Sequence, residues 1–354
     1  GLLLLHHIDV VPADGSAWKS PPFAAEILMN ELYGRGAVDM KGIGITHLLA
    51  FIDVARSGKQ PARDIALLAV SDEESGGANG MSRLIEQRPD LFDGIRYAIG
   101  EGGVTEVTRE KVSYFGIEIG NLQYAEVTVR APSIEALRAA RFEIEGWNAR
   151  RQADRITPEV RRFMADIAPT RLSFGDELAD IDGAVASGAY WKLPLPYRLL
   201  TQNVIWMEGD RIEDGRAQAK GVLLLLPDEN AERWVGRLDA AIQRHGAGVS
   251  EVISLEPSTP MSPIDTPLFE LIADEARREF DGRTGTMVLH RQRNDSRFLR
   301  RRGIAAYGVQ PFPVDAYQSE ALHRADERAR LDWFMQGVGM MRRVVFRWAF
   351  ETDI

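Results

Sequence analysis

The chain has 354 residues, 45% apolar and 27% charged, the balance of an ordinary globular protein with enough length for two hydrophobic cores. A formal net charge of -9 disfavours nucleic acid and anionic membrane surfaces as partners. There is no cysteine, which excludes disulfides and thiolate sites and leaves only His, Asp and Glu to hold a metal.

The opening apolar run, Gly1 to Leu5, is far shorter than the ~20 residues of a membrane span. It also lacks the charged flank and cleavage site of a signal peptide, so the expected location is cytoplasmic. Residues 2–11 read as a buried strand ending at Pro12, and 40–56 as a helix with apolar spacing at Leu48, Leu49, Phe51, Ile52 and Val54. A buried strand at 64–70 follows, then a polar loop, a helix at about 80–87 and a short strand at 97–99. Alternation of this kind predicts an α/β sheet with helices on both faces.

From about Ser113 the pattern changes. Residues 124–130 alternate as a half-exposed strand, 133–148 read as a helix, and 150–200 read as irregular, with Pro158, Pro169, Pro194 and Pro196. A strand at 217–226 and a helix at 229–244 complete what reads as an inserted α+β domain. After Pro257 the α/β character returns, with a helix at 267–280, a strand at 304–309 and a long helix at about 329–347.

In open α/β sheets, ligands gather beyond the carboxyl ends of the strands. Polar clusters occupy such positions here: His7-Ile8-Asp9, Asp39, Asp72-Glu73-Glu74 and Glu101, with His323 in the closing segment. The strand period of two puts His7 and Asp9 on one face, either as a surface pair or as a metal ligand with its orienting carboxylate. His6 faces the other way and is expected to be packed or solvated. Asp39, at a glycine-bounded turn before a helix, is either an N-cap or a carboxylate free to bridge two ions. Three consecutive carboxylates at 72–74 repel one another unless cations or solvent intervene. One of them can bind metal while its neighbour serves as a general base. Glu101 lies in the flexible Gly100-Glu101-Gly102-Gly103 loop.

Taken in order, residues 2–12 (LLLLHHIDVVP), 33–42 (YGRGAVDMKG), 71–77 (SDEESGG), 100–103 (GEGG) and 322–327 (LHRADE) carry a resemblance. They are similar to the metallopeptidase family of acetylornithine deacetylase, succinyl-diaminopimelate desuccinylase, glutamate carboxypeptidase and aminoacylase, in its carboxypeptidase S-like branch. The resemblance runs the length of the chain. It implies a catalytic α/β domain with a mixed, mostly parallel sheet flanked by helices, formed by residues 1–112 and 256–354. A ferredoxin-like α+β lid over 113–255, through which a homodimer forms, is inserted in it. The resemblance also implies two zinc ions, with cobalt or manganese as substitutes. His7 and Glu101 would hold one ion, Glu74 and His323 the other, and Asp39 would bridge them. Asp9 would orient His7, and Glu73 would be the general base. Arg297, in the family-like stretch Asn294-Asp295-Ser296-Arg297-Phe298, is the candidate for gripping a substrate carboxylate; otherwise it belongs to a surface basic cluster.

The lid departs from the family. The strand at 124–130 runs into Ala131-Pro132-Ser133 where a Gly-His-Gly-Ser-like turn is expected, and His245 is the insert's sole histidine, in a loop position that makes it a bystander. Arg211-Ile212-Glu213-Asp214 replaces an Asn-Val-Ile-Pro-like turn. The resulting expectation is a zinc-dependent hydrolase of an amide bond in a small peptide or N-acyl amino acid, with water activated by Glu73. The alternative is a metal-binding homologue with weak or no turnover that binds a peptide or partner protein.

Overall fold

The computed structural model describes residues 1–149, 153–227, 229–289 and 293–352, which form two compact units. The first comprises Gly1–Gly120, Met261–Leu289 and Arg293–Ile354; the second, over its described residues, is Asn121–Pro260.

The first unit is built on a seven-stranded sheet. Leu2–His7 lies inside it, with Leu2 to Leu5 each at most 3% exposed, because an apolar run without alternation can be buried on both faces. It pairs in parallel with Ile65–Val70 on one side and Tyr97–Gly100 on the other, and Ala305–Gly308 continues the parallel set. Lys111–Asn121 then joins antiparallel, flanked by Arg283–Leu289, and Val104–Thr108 also pairs with it. The three central parallel pairings end with their carboxyl ends on the same edge, which brings His7, the loop after Val70 and Glu101 together.

Helices cover both faces. Leu3 and Leu5 pack with Val70, Met81, Phe92, Leu299 and Ile304. On the other face, Lys41–Arg56 lies against Leu331–Phe350, which in turn lies against Pro267–Glu279. His6 points to this second face, toward His47, and Gly44 permits the contact: a Cβ there would meet the His6 ring at 2.8 Å. A small sheet of Glu26–Leu28, Glu31–Tyr33 and Arg328–Arg330 joins the segment before Asp39 to the segment after His323. No helix among the described residues is long and apolar enough to cross a membrane.

The second unit has a four-stranded antiparallel sheet in the order Gly248–Leu255, Gln123–Ala131, Arg216–Leu225, Val204–Glu213. With helices Ile134–Ala149 and Ala231–Ile242 this is a βαββαβ chain with strand order 4-1-3-2, the ferredoxin-like arrangement. Leu137, Ala140, Ile144, Trp234, Leu238 and Ile242 meet Val127, Val129 and Leu223 in its core.

Residues 158–199, expected to be irregular, hold four helices: Pro158–Ile167, Gly175–Ala179, Ile181–Ser187 and Leu195–Leu199. Proline at a helix's first turn costs nothing, since that N–H has no partner there anyway. Pro158 and Pro196 occupy such positions, and Thr157 caps the first helix by accepting from Val160 N. Val160, Phe163, Met164 and Ile167 form its buried face.

Candidate metal centre

His7 is the last residue of its strand and is 2% exposed. Its Nε2 lies 3.2 Å from Asp39 Oδ1 and 3.6 Å from Glu101 Oε2. Asp39 Oδ2 lies 3.0 Å from His323 Nε2, which is 3.3 Å from Glu74 Oε2. One carboxylate thus stands between two imidazoles, each with a further glutamate at its side. Candidate ligand atoms of His7, Glu73 and Glu101 lie within 4.8 Å of one another, as do those of His7, Asp39 and Glu74.

The backbone that delivers these groups is held by a half-buried acid, Asp9. Asp9 Oδ1 and Oδ2 accept from the amides of Glu73 and Glu74 at 3.3 and 3.2 Å, which ties the acidic loop to the first strand. His7 Nδ1 meets the main-chain oxygen of Asp9 at 2.9 Å, with Oδ1 farther away at 3.5 Å. Asp9 therefore orients the imidazole chiefly through its carbonyl. The acidic loop turns back through left-handed Gly76 and Gly77, whose amides reach Glu73 O and Asp72 O at 2.7 and 2.6 Å. Asp39 does not cap the helix that follows, since the position before Lys41–Arg56 is Met40 with no side-chain cap bond.

Charge governs the centre. Burial alone would lower the pKa of His7, but the carboxylates of Asp39 and Glu101 outweigh it and push the pKa up to about 12. Hydrogen bonds to Asp39 and Glu74 raise His323 to about 10. Asp39 is held below the usual carboxylate range: burial opposes this, and His323 and His7 overcome it. Burial, and after it the nearby Asp295, lifts Glu73 to about 8. Burial also keeps Glu101 well above its ordinary value. Such a concentration of carboxylates calls for cations. Among the described residues, Oε1 of Glu74 and Oε1 of Glu101 are buried with no hydrogen-bond partner, as an oxygen reserved for a metal would be. Nitrogen and oxygen donors without sulfur suit zinc, cobalt or manganese.

Arg297 is 1% exposed, with Nη1 donating to Asn294 O and Nη2 to Gly76 O, both at 2.7 Å. It is not a surface residue, and both terminal nitrogens of its guanidinium already donate to main-chain oxygens. His245, in the short 3-10 turn Gln243–His245 of the second unit, has its Nε2 3.7 Å from a Glu143 carboxylate oxygen. Gln123–Ala131 leads through Pro132 and Ser133 into the next helix, and Asp214-Gly215, both at positive φ, form a tight hairpin where the family-like turn was sought.

Sequence reasoning missed Glu327. Its Oε1 accepts from the amides of Gly36, Val38 and Asp39 at 3.0, 3.0 and 3.2 Å, so it cradles the loop that presents Asp39. It stands in the quoted 322–327 stretch, but its partners are some 290 residues away. Asp295 was also missed: it is 4% exposed, neither carboxylate oxygen has a hydrogen-bond partner among the described residues, and burial raises its pKa to about 6.

This fold and site define a metallopeptidase. The chain matches the model of Peptidase family M20/M25/M40 over residues 3–347 and belongs to that family. Among solved structures it is similar to the M20 family metallo-carboxypeptidase Sso-CP2 from Sulfolobus solfataricus, with TM-score 0.70 and 17% identity over 97% of this chain and 84% of that one. Human carnosine dipeptidase 1 gives 0.69 and 14%, over 98% and 80%. The Bacillus subtilis YXEP protein, described as a dinuclear metal binding peptidase from M20 family, gives 0.50 and 11%, over 98% and 81%.

Proposed function

We propose that this chain is a zinc-dependent hydrolase of the amide bond in a small peptide or an N-acyl amino acid. The observation that supports this most is the meeting of His7, Asp39, Glu74, Glu101 and His323 around Asp39 at the sheet's edge. His7 and Glu101 would hold one ion and Glu74 and His323 the other, with Asp39, between the two imidazoles, available to both. When bound, such a pair supplies acidified water and counter-charge for the oxygen of an attacked carbonyl.

Glu73 would take the attacking water's proton on its carboxylate and return it to the leaving amine nitrogen as the C–N bond breaks. A carboxyl lifted toward neutrality by burial is suited to both transfers. Asp9 anchors the amides of Glu73 and Glu74 together, so base and ligand move as one. Arg297 is assigned to bracing the Gly76 turn through its two main-chain bonds. The names of the carboxypeptidase and the dipeptidase with this fold support a short peptide as substrate.

The second reading, a metal-binding homologue with little turnover, is favoured by the lid. No imidazole stands at Ala131-Pro132-Ser133, and losing one oxyanion donor costs ~10²–10³ in rate. A panel of dipeptides and N-acyl amino acids, run with zinc-loaded protein, separates the two. Hydrolysis that Glu73→Gln lowers by about 10²–10⁴ supports the enzyme. Bound zinc with no turnover across the panel supports the homologue.

A further inference from the structure

The Asn121–Pro260 unit holds a cavity of about 610 Å³ that the hydrolytic reading does not use. That is within the ~300–1,000 Å³ range of small-molecule sites. Trp191, Leu195, Leu199 and Trp206 give it apolar walls, and Trp191 and Leu195 remain 40% and 54% exposed. Only two lining residues are charged, Glu145 and Arg198. The remaining polar lining is already engaged: Asn148 bonds the main chain of Ile205, and Gln202 donates to the Tyr190 hydroxyl at 2.8 Å.

Arg198 is fixed from behind. Its Nε donates to Leu193 O at 3.1 Å, and its guanidinium carbon lies 5.1 Å from the centre of the Trp191 ring. Its two terminal nitrogens have no hydrogen-bond partner among the described residues, and the exposed Glu145 carboxylate has none either. The two do not pair with each other. A preorganised guanidinium fork, an open carboxylate and apolar indole walls in one cavity are complementary to a molecule with the opposite charges and an apolar body.

We propose that this cavity binds a small zwitterion of amino-acid type with an apolar side chain, its carboxylate on Arg198, its ammonium on Glu145 and its side chain against Trp191 and Trp206. The site lies within the second unit and does not depend on the metal centre.

Calorimetric titration of the full chain with L-phenylalanine tests it, alongside phenylalaninamide, which lacks the carboxylate, and N-acetylphenylalanine, which lacks the ammonium. Saturable binding of the zwitterion is expected, with each derivative weaker by about tenfold or more. Arg198→Leu and Glu145→Gln should weaken the zwitterion similarly, and chelator treatment should change nothing. Because Arg198 also supports Leu193, Glu145→Gln on an exposed helix position is the variant that keeps the test independent of folding. Absence of saturable binding, or binding that disappears with the chelator and ignores Glu145→Gln, would overturn the proposal.

Discussion

Arg35 and Glu327 form an ion pair 2.7 Å long, with side chains 3% and 0% exposed, though they lie 292 positions apart in the chain. The other oxygen of Glu327 holds the amides leading to Asp39, so a single buried acid joins charge balance to ligand placement. Removing one partner of a buried pair typically costs about 3–5 kcal/mol, because the other charge is left unsolvated. Glu327→Ala should therefore lower the urea midpoint and reduce bound metal, while Glu327→Gln, which keeps an acceptor for the amides, should lose less of both. A Glu327→Ala protein with wild-type midpoint and metal content would remove this role.

Glu73 and Glu74 are neighbours with different expected effects. Glu73→Gln should retain metal and lose about 10²–10⁴ in kcat, the range of a general base. Glu74→Gln, which takes away a donor 3.3 Å from His323, should lose metal first. Elemental analysis beside kinetics distinguishes them, and equal metal loss in both variants would contradict the assignment.

Metal loading should release protons. The carboxylates hold His7 and His323 protonated up to about 12 and about 10, and a ligand imidazole must be neutral. Loading stripped protein at about pH 8 should therefore displace protons from both imidazoles, and from Glu101, whose carboxyl burial also holds well above its ordinary value, read from calorimetric heats in buffers of different ionisation enthalpy. Heats that do not vary with the buffer would show that the imidazoles are not displaced from their carboxylates.

Away from the site, Glu275 ties two helices together. Its carboxylate is 2.7 Å from Arg343 Nε and 2.9 Å from Arg347 Nη1. Burial would raise its pKa, but the two arginines outweigh burial and lower it from 4.5. A carboxylate with a depressed folded pKa adds stability above its unfolded value and loses it as pH falls through the folded one. Acidification below about 4.5 should thus destabilise wild type more than Glu275→Gln. Parallel melting curves for the two proteins from neutral to acid pH would count against the bridge.

The sequence disclosed the centre better than the frame around it. His7, the 72–74 acids and Glu101 follow strands whose apolar runs are plain to read, and the parallel register places them on one edge. The change of pattern near residue 113 falls inside a single strand, Lys111–Asn121, which is buried from Tyr114 on and has no alternation to mark its face. Gly248–Leu255 escaped notice as a largely exposed strand, and the helices of 158–199 were hidden by prolines that open helices. The burial of Arg297 was not legible because its partners, Gly76 O and Asn294 O, are main-chain atoms that leave no trace in residue identity.

The most direct test is anomalous diffraction from crystals grown with zinc. Two peaks are expected, one beside His7 and Glu101 and one beside Glu74 and His323, with Asp39 contacting both. No peak at Asp39, or zinc bound elsewhere in the chain, would contradict the account.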